Sequence, residues 1–88
     1  MSTCGYSELY EIIVKVVRSK LSQNGEDRHI VDENTDLMEL LDSFSFLDVI
    51  IEIEERAGVD ADLAKMDIAN SMTVSELIKE IIRINGCG

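Results

Sequence analysis

The stretch Leu40-Leu41-Asp42-Ser43-Phe44-Ser45-Phe46-Leu47-Asp48-Val49-Ile50-Ile51-Glu52-Ile53-Glu54-Glu55-Arg56-Ala57-Gly58 decides how this chain folds. It opens on Asp and Ser, residue types that favour a helix N-cap because a side-chain oxygen can take a first-turn N–H. It closes on glycine, which ends helices by entering the left-handed conformation. At ~100° per residue, Phe46, Val49, Ile50, Ile53 and Ala57 share one face, while Asp48, Glu52 and Glu55 gather opposite. Phe44, Leu47 and Ile51 lie on the shoulder between those faces. The spacing predicts a helix over 43–57 with a buried face, an acidic face and an apolar strip at the edge of the exposed surface.

Working outward, Leu9, Ile12, Ile13, Val16, Val17 and Leu21 form one stripe of a helix from Ser7 to Leu21. Ser7 is its expected N-cap, and Asn24-Gly25 its stop. Residues 22–42 are polar and aperiodic, and a loop of about twenty residues in a small domain is commonly functional. Ile30, Val31, Leu37, Leu40 and Leu41 are expected to pin it to the core, with a single helical turn near Asp36 to Leu40. Beyond Gly58, a short helix is expected over 62–66, capped by Asp60 or Asp62. Thr73-Val74-Ser75-Glu76 is a capping box with Met72 and Leu77 placed as a hydrophobic staple. Val74, Leu77, Ile78, Ile81 and Ile82 continue the last helix to Gly86. The expected fold is all-α: a four-helix bundle of three main helices plus a short third one, with a long loop between the first two. It forms one domain over 1–88, its core spanning about 7–85.

Composition narrows the function. Hydrophobic residues make up 45% of the 88, yet there are only two Phe, two Tyr and no Trp, so the core must be aliphatic. A net charge of -10 argues against nucleic acid, whose phosphates need clustered Lys and Arg, and against anionic membrane surfaces. It favours basic protein partners, through steering more than through affinity. Cys4 and Cys87 match no zinc or redox spacing and read as incidental thiols, a disulfide between termini or between molecules being the alternative. With no signal peptide or membrane-spanning run, the expectation is a soluble, monomeric, cytoplasmic protein.

Asp42-Ser43-Phe44, at a helix start after a long loop, resembles the signature of the acyl and peptidyl carrier protein family: Asp-Ser followed by a large apolar residue. The resemblance runs from about Thr35 to Ile82, through Val49-Ile50-Ile51-Glu52-Ile53-Glu54-Glu55 and the Thr73-Val74 helix start, and covers the order of elements; the first helix matches only in pattern and length. It implies an acyl-carrier-like bundle in which Ser43, preceded by the signature Asp42, receives 4'-phosphopantetheine from coenzyme A through a phosphopantetheinyl transferase. The arm's thiol would hold an acyl or aminoacyl group as a thioester, loaded by a ligase and passed to a downstream transferase with a basic surface. Carrier proteins are read by partners at the positions matching Phe44, Asp48, Ile51, Glu54 and Glu55, to which the exposed shoulder and acidic face add Leu47 and Glu52. Leu40-Leu41-Asp42-Ser43-Phe44 looks more like free-standing D-alanyl or aminoacyl carriers than fatty-acid carriers, as does the long segment from Val59 to Met72. Arg56 on the acidic helix, and Ser45 where D-alanyl carriers tend to have Gly, depart from the pattern. Fatty-acid, polyketide and peptide assembly stay open as other branches.

Competing readings are weaker. Asp32, Asn34 and Asp36 sit at positions 1, 3 and 5 of a calcium loop, but Leu37 stands where Gly is needed and Ser43 where the bidentate Glu belongs, so no metal site is expected. One histidine, His29, offers no catalytic constellation, and an enzyme is not expected. The main alternative is an unmodified helical interaction module with the same fold.

Overall fold

The computed structural model describes residues 5–23, 25, 30–66 and 72–86. Cys4, Cys87, Asn24 and His29 lie outside the described residues. In chain order the elements are α1 (Tyr6–Gln23), α2 (Leu37–Leu40), α3 (Ser43–Ala57), a 3-10 turn (Leu63–Lys65) and α4 (Val74–Asn85). The described residues contain no strand, only an isolated antiparallel bridge between Asp36 and Thr73. The chain is an all-α bundle in which α1 packs on both α3 and α4.

The residue types at the ends of α3 act as their chemistry requires. Asp42 accepts the Ser45 N–H, and Gly58 takes φ 66° and donates its N–H to the Glu54 carbonyl. At α4 the capping box closes in both directions, Glu76 N–H to Thr73 Oγ1 at 3.2 Å and Thr73 N–H to Glu76 Oε1 at 3.0 Å. Met72 and Leu77 are both buried, as a staple demands.

The start of α1 departs from expectation. Gly5 O accepts the Leu9 N–H at 2.9 Å, which makes Gly5 the cap residue and leaves Ser7 inside the first turn, exposed. Glycine is tolerated there, and Tyr6 is drawn into the helix by its hydroxyl, which donates to Glu33 Oε2 at 2.7 Å and meets Ser75 Oγ at 3.0 Å.

The core is aliphatic apart from Phe46. Leu9, Ile13, Val17 and Leu21 of α1 meet Val49 and Ile53 of α3 and Leu77, Ile78 and Ile81 of α4, all essentially inaccessible. Each such side chain is worth about 1.5–3 kcal/mol of burial, an upper bound because unfolded chains are partly compact. Val31, Leu37 and Leu41 pin the long loop to this core, and Leu40 is half-buried. Ile30 does not join them; it is 82% exposed.

The third helix is shorter than expected, a three-residue 3-10 turn with Asp62 as cap. Lys65 N–H donates to Asp62 O at 3.0 Å and Met66 N–H to Leu63 O at 3.2 Å, the i→i−3 spacing of a 3-10 turn, while the lead-in is held by side chains, Asp60 N–H to Asn85 Oδ1 and Ala61 N–H to Glu54 Oε2.

Candidate functional site

The long loop delivers the chain to Ser43 through two consecutive caps. Asp36 caps α2, whose four residues end at Leu41; Asp42 then caps α3, and Ser43 is its first residue. Asp42, not Ser43, is thus the N-cap. Ser43 is exposed, and its hydroxyl has no hydrogen-bond partner among the described residues.

Asp42 is fully engaged with the helix start. Its Oδ1 accepts the Ser45 N–H at 2.7 Å. Hydrogen bonds from the Ser45 N–H and hydroxyl, and a weaker one from the Phe44 N–H, hold its carboxyl below the usual carboxylate range. Of the first-turn N–H groups, that of Ser45 is thus taken by Asp42. In the sequence Ser45 stands out only as a departure from the D-alanyl carrier pattern; the structure buries it to 7% exposure and sets it against Asp42.

Beside Ser43 an open groove of about 410 Å³ runs between α2, α3 and the 3-10 turn, lined by Met38, Leu41, Asp42, Ser43, Phe46, Leu47 and Leu63. Along α3, the shoulder residues Phe44, Leu47 and Ile51 are exposed. The acids are less available than their helical positions imply. Asp48 Oδ2 pairs with Lys20 Nζ at 2.8 Å, and Glu52 Oε2 with Arg56 Nε at 3.4 Å. Glu54 Oε2 accepts the Ala61 N–H at 3.1 Å. Glu55 is exposed and has no ion-pair or hydrogen-bond partner among the described residues. Lys20 escaped sequence reading because it lies 28 residues before Asp48, on α1, and meets it only where the two helices pack.

Asp32 and Asp36 of the calcium-like spacing both serve the local backbone. Asp32 Oδ1 accepts the Asn34 N–H at 2.9 Å, and Asp36 is spent on capping. No group of three or more potential metal-ligating side chains occurs among the described residues. Among them, too, no helix is long and apolar enough to cross a membrane.

Comparison with protein-family models, with curated proteins and with solved structures finds no match to this chain.

Proposed function

We propose that this chain is a carrier protein whose Ser43 takes a 4'-phosphopantetheine arm from coenzyme A and shuttles an acyl or aminoacyl group between partner enzymes. The observation that carries the reading is a serine hydroxyl, exposed and without a hydrogen-bond partner among the described residues, on the first residue of a helix whose cap its neighbour supplies. A serine needed for capping would be spent; this one is available. The order of long helix, long loop, helix, short turn and helix resembles the carrier arrangement and supports the same reading.

On this reading a bond forms between Ser43 Oγ and the pantetheine-side phosphorus of coenzyme A. The bond to the adenosine 3',5'-bisphosphate leaving group breaks, and the hydroxyl proton passes to a base of the transferase. The chain itself needs no base at Ser43, and Asp42 serves to fix the helix start. The arm supplies a thiol, on which a ligase would load the acyl or aminoacyl group. The apolar groove beginning at Ser43 offers the arm a surface to lie along. Chemistry then belongs to the partners and delivery to this chain.

A second reading, an unmodified interaction module, draws on Phe44, which is 80% exposed and is an expensive residue to leave in water without a partner. The two separate cleanly. Incubation with coenzyme A, magnesium and a broad-specificity phosphopantetheinyl transferase is expected to add the mass of one arm, and Ser43→Ala to abolish the gain. No mass increase on the wild-type chain moves the assignment to the interaction module.

A further inference from the structure

We infer that Asn85 is a latent modification site: the fold blocks its deamidation while α4 keeps its last turn, and the product of that reaction releases the 58–66 segment from α4. The inference stands apart from the carrier reading and goes beyond it.

The chemistry begins in the sequence. Asn85 is followed by Gly86, and an asparagine before glycine deamidates readily because no side chain shields the next backbone nitrogen. In the reaction the Gly86 nitrogen, its proton lost to solvent base, attacks Asn85 Cγ. The Cγ–Nδ2 bond breaks and ammonia leaves, giving a five-membered imide that water opens to aspartate or isoaspartate. One neutral amide becomes one carboxylate, with no change of oxidation state. In the fold both reacting groups are engaged. Asn85 Nδ2 donates to Asp60 O and to Ile81 O, each at 2.7 Å, and Asn85 Oδ1 accepts the Asp60 N–H at 2.9 Å. The Gly86 N–H donates to the carbonyls of Arg83 and Ile82. Attack therefore requires the last turn of α4 to open and the side-chain amide to leave Asp60.

The product cannot restore those contacts. An amide side chain both donates and accepts, whereas an ionised carboxylate only accepts. A carboxylate at position 85 could still take the Asp60 N–H, but it would leave the Asp60 and Ile81 carbonyls facing another acceptor. It would also set negative charge at the negative end of the α4 dipole. Isoaspartate adds a methylene to the backbone immediately before the Gly86 cap, where φ 66° closes the helix. Glu54 Oε2 on the Ala61 N–H and Arg83 on the Lys65 carbonyl also hold this segment, while Asn85 grips both the N–H and the carbonyl of Asp60. The segment carries Leu63, which lines the groove beside Ser43, so a change at the end of α4 reaches that wall.

The test incubates the full chain at mildly alkaline pH, native and in urea. Cleavage after Glu80 releases residues 81–88, whose mass reports the exchange of the Asn85 amide for a carboxyl. Asn85 is expected to convert at least about tenfold more slowly in the native chain than in urea. Equal rates, or no conversion in urea, overturn the inference, and because this arm uses the wild-type chain no variant's stability bears on it. Asn85→Asp then stands for the product. Amide hydrogen exchange is expected to rise about tenfold at Asp60 and Ala61, with the α1 amides unchanged. Exchange at Asp60 and Ala61 as slow as in wild type, or an equal rise throughout α1, overturns the release of the segment.

Discussion

One carboxylate oxygen, Asp36 Oδ1, accepts the Met38 N–H at 3.0 Å and the Met72 N–H at 3.1 Å, so the residue that caps α2 also holds the lead-in to α4. Around it, Leu37 N–H donates to Met72 O at 2.8 Å and Val74 N–H to Thr35 O at 3.1 Å. The long loop is thereby clipped to the start of α4 immediately before it delivers Asp42 and Ser43. Because Met72 is buried, Asp36→Ala both removes a cap and strands a donor with little access to water. The expected loss is about 2–3 kcal/mol in urea unfolding, and Asp36→Asn should recover much of it. A loss under about 0.5 kcal/mol for the alanine variant would show that the clip is incidental.

Ser43 and Ser45 lie two residues apart on one helix and should behave oppositely. Ser45→Ala removes a buried hydroxyl bonded to Asp42 and is expected to cost about 1 kcal/mol while leaving mass gain by the transferase intact. Ser43→Ala should abolish the gain and shift stability by no more than about 0.5 kcal/mol. Thermal unfolding beside intact mass reads both.

Gly58 ends α3 at φ 66°, a conformation that costs a residue with a Cβ about 1 kcal/mol. Gly58→Ala is accordingly expected to destabilise by about 1 kcal/mol in equilibrium unfolding, with Gly58→Asn milder. An alanine variant as stable as wild type is incompatible with this cap geometry.

The depressed ionisation of Asp42 makes a pH prediction of definite sign. A carboxyl whose folded pKa lies below its unfolded one stabilises the fold above the unfolded value, near pH ~4, and loses that contribution as pH falls through the folded value. Asp42→Asn keeps a capping oxygen but cannot titrate. The stability difference between wild type and Asp42→Asn should therefore be constant from about pH 5 to neutrality and shift towards the variant below about pH 4. Parallel acid-denaturation curves for the two proteins would refute the assignment.

Both ends of α3 and of α4 were legible in the residues because capping is local chemistry: Asp42, Gly58, Thr73, Glu76 and Gly86 each act within four positions of themselves. The apolar stripes were legible for the same reason, since helical periodicity already states which side chains share a face. Ser43 stood out through its motif, although the motif left open whether it or Asp42 was the cap.

Contacts that cross the chain were another matter. Lys20 meets Asp48 across 28 positions, Asn85 clamps Asp60 across 25, and Met72 reaches Asp36 across 36. No periodicity encodes such encounters, because they depend on how one helix lies against another and which side chains that packing brings within hydrogen-bonding range. The lead-in to the 3-10 turn is held the same way, Asp60 by Asn85 of α4 and Ala61 by Glu54 of α3. The packing also set Lys20 of α1 against Asp48 on the acidic face of α3.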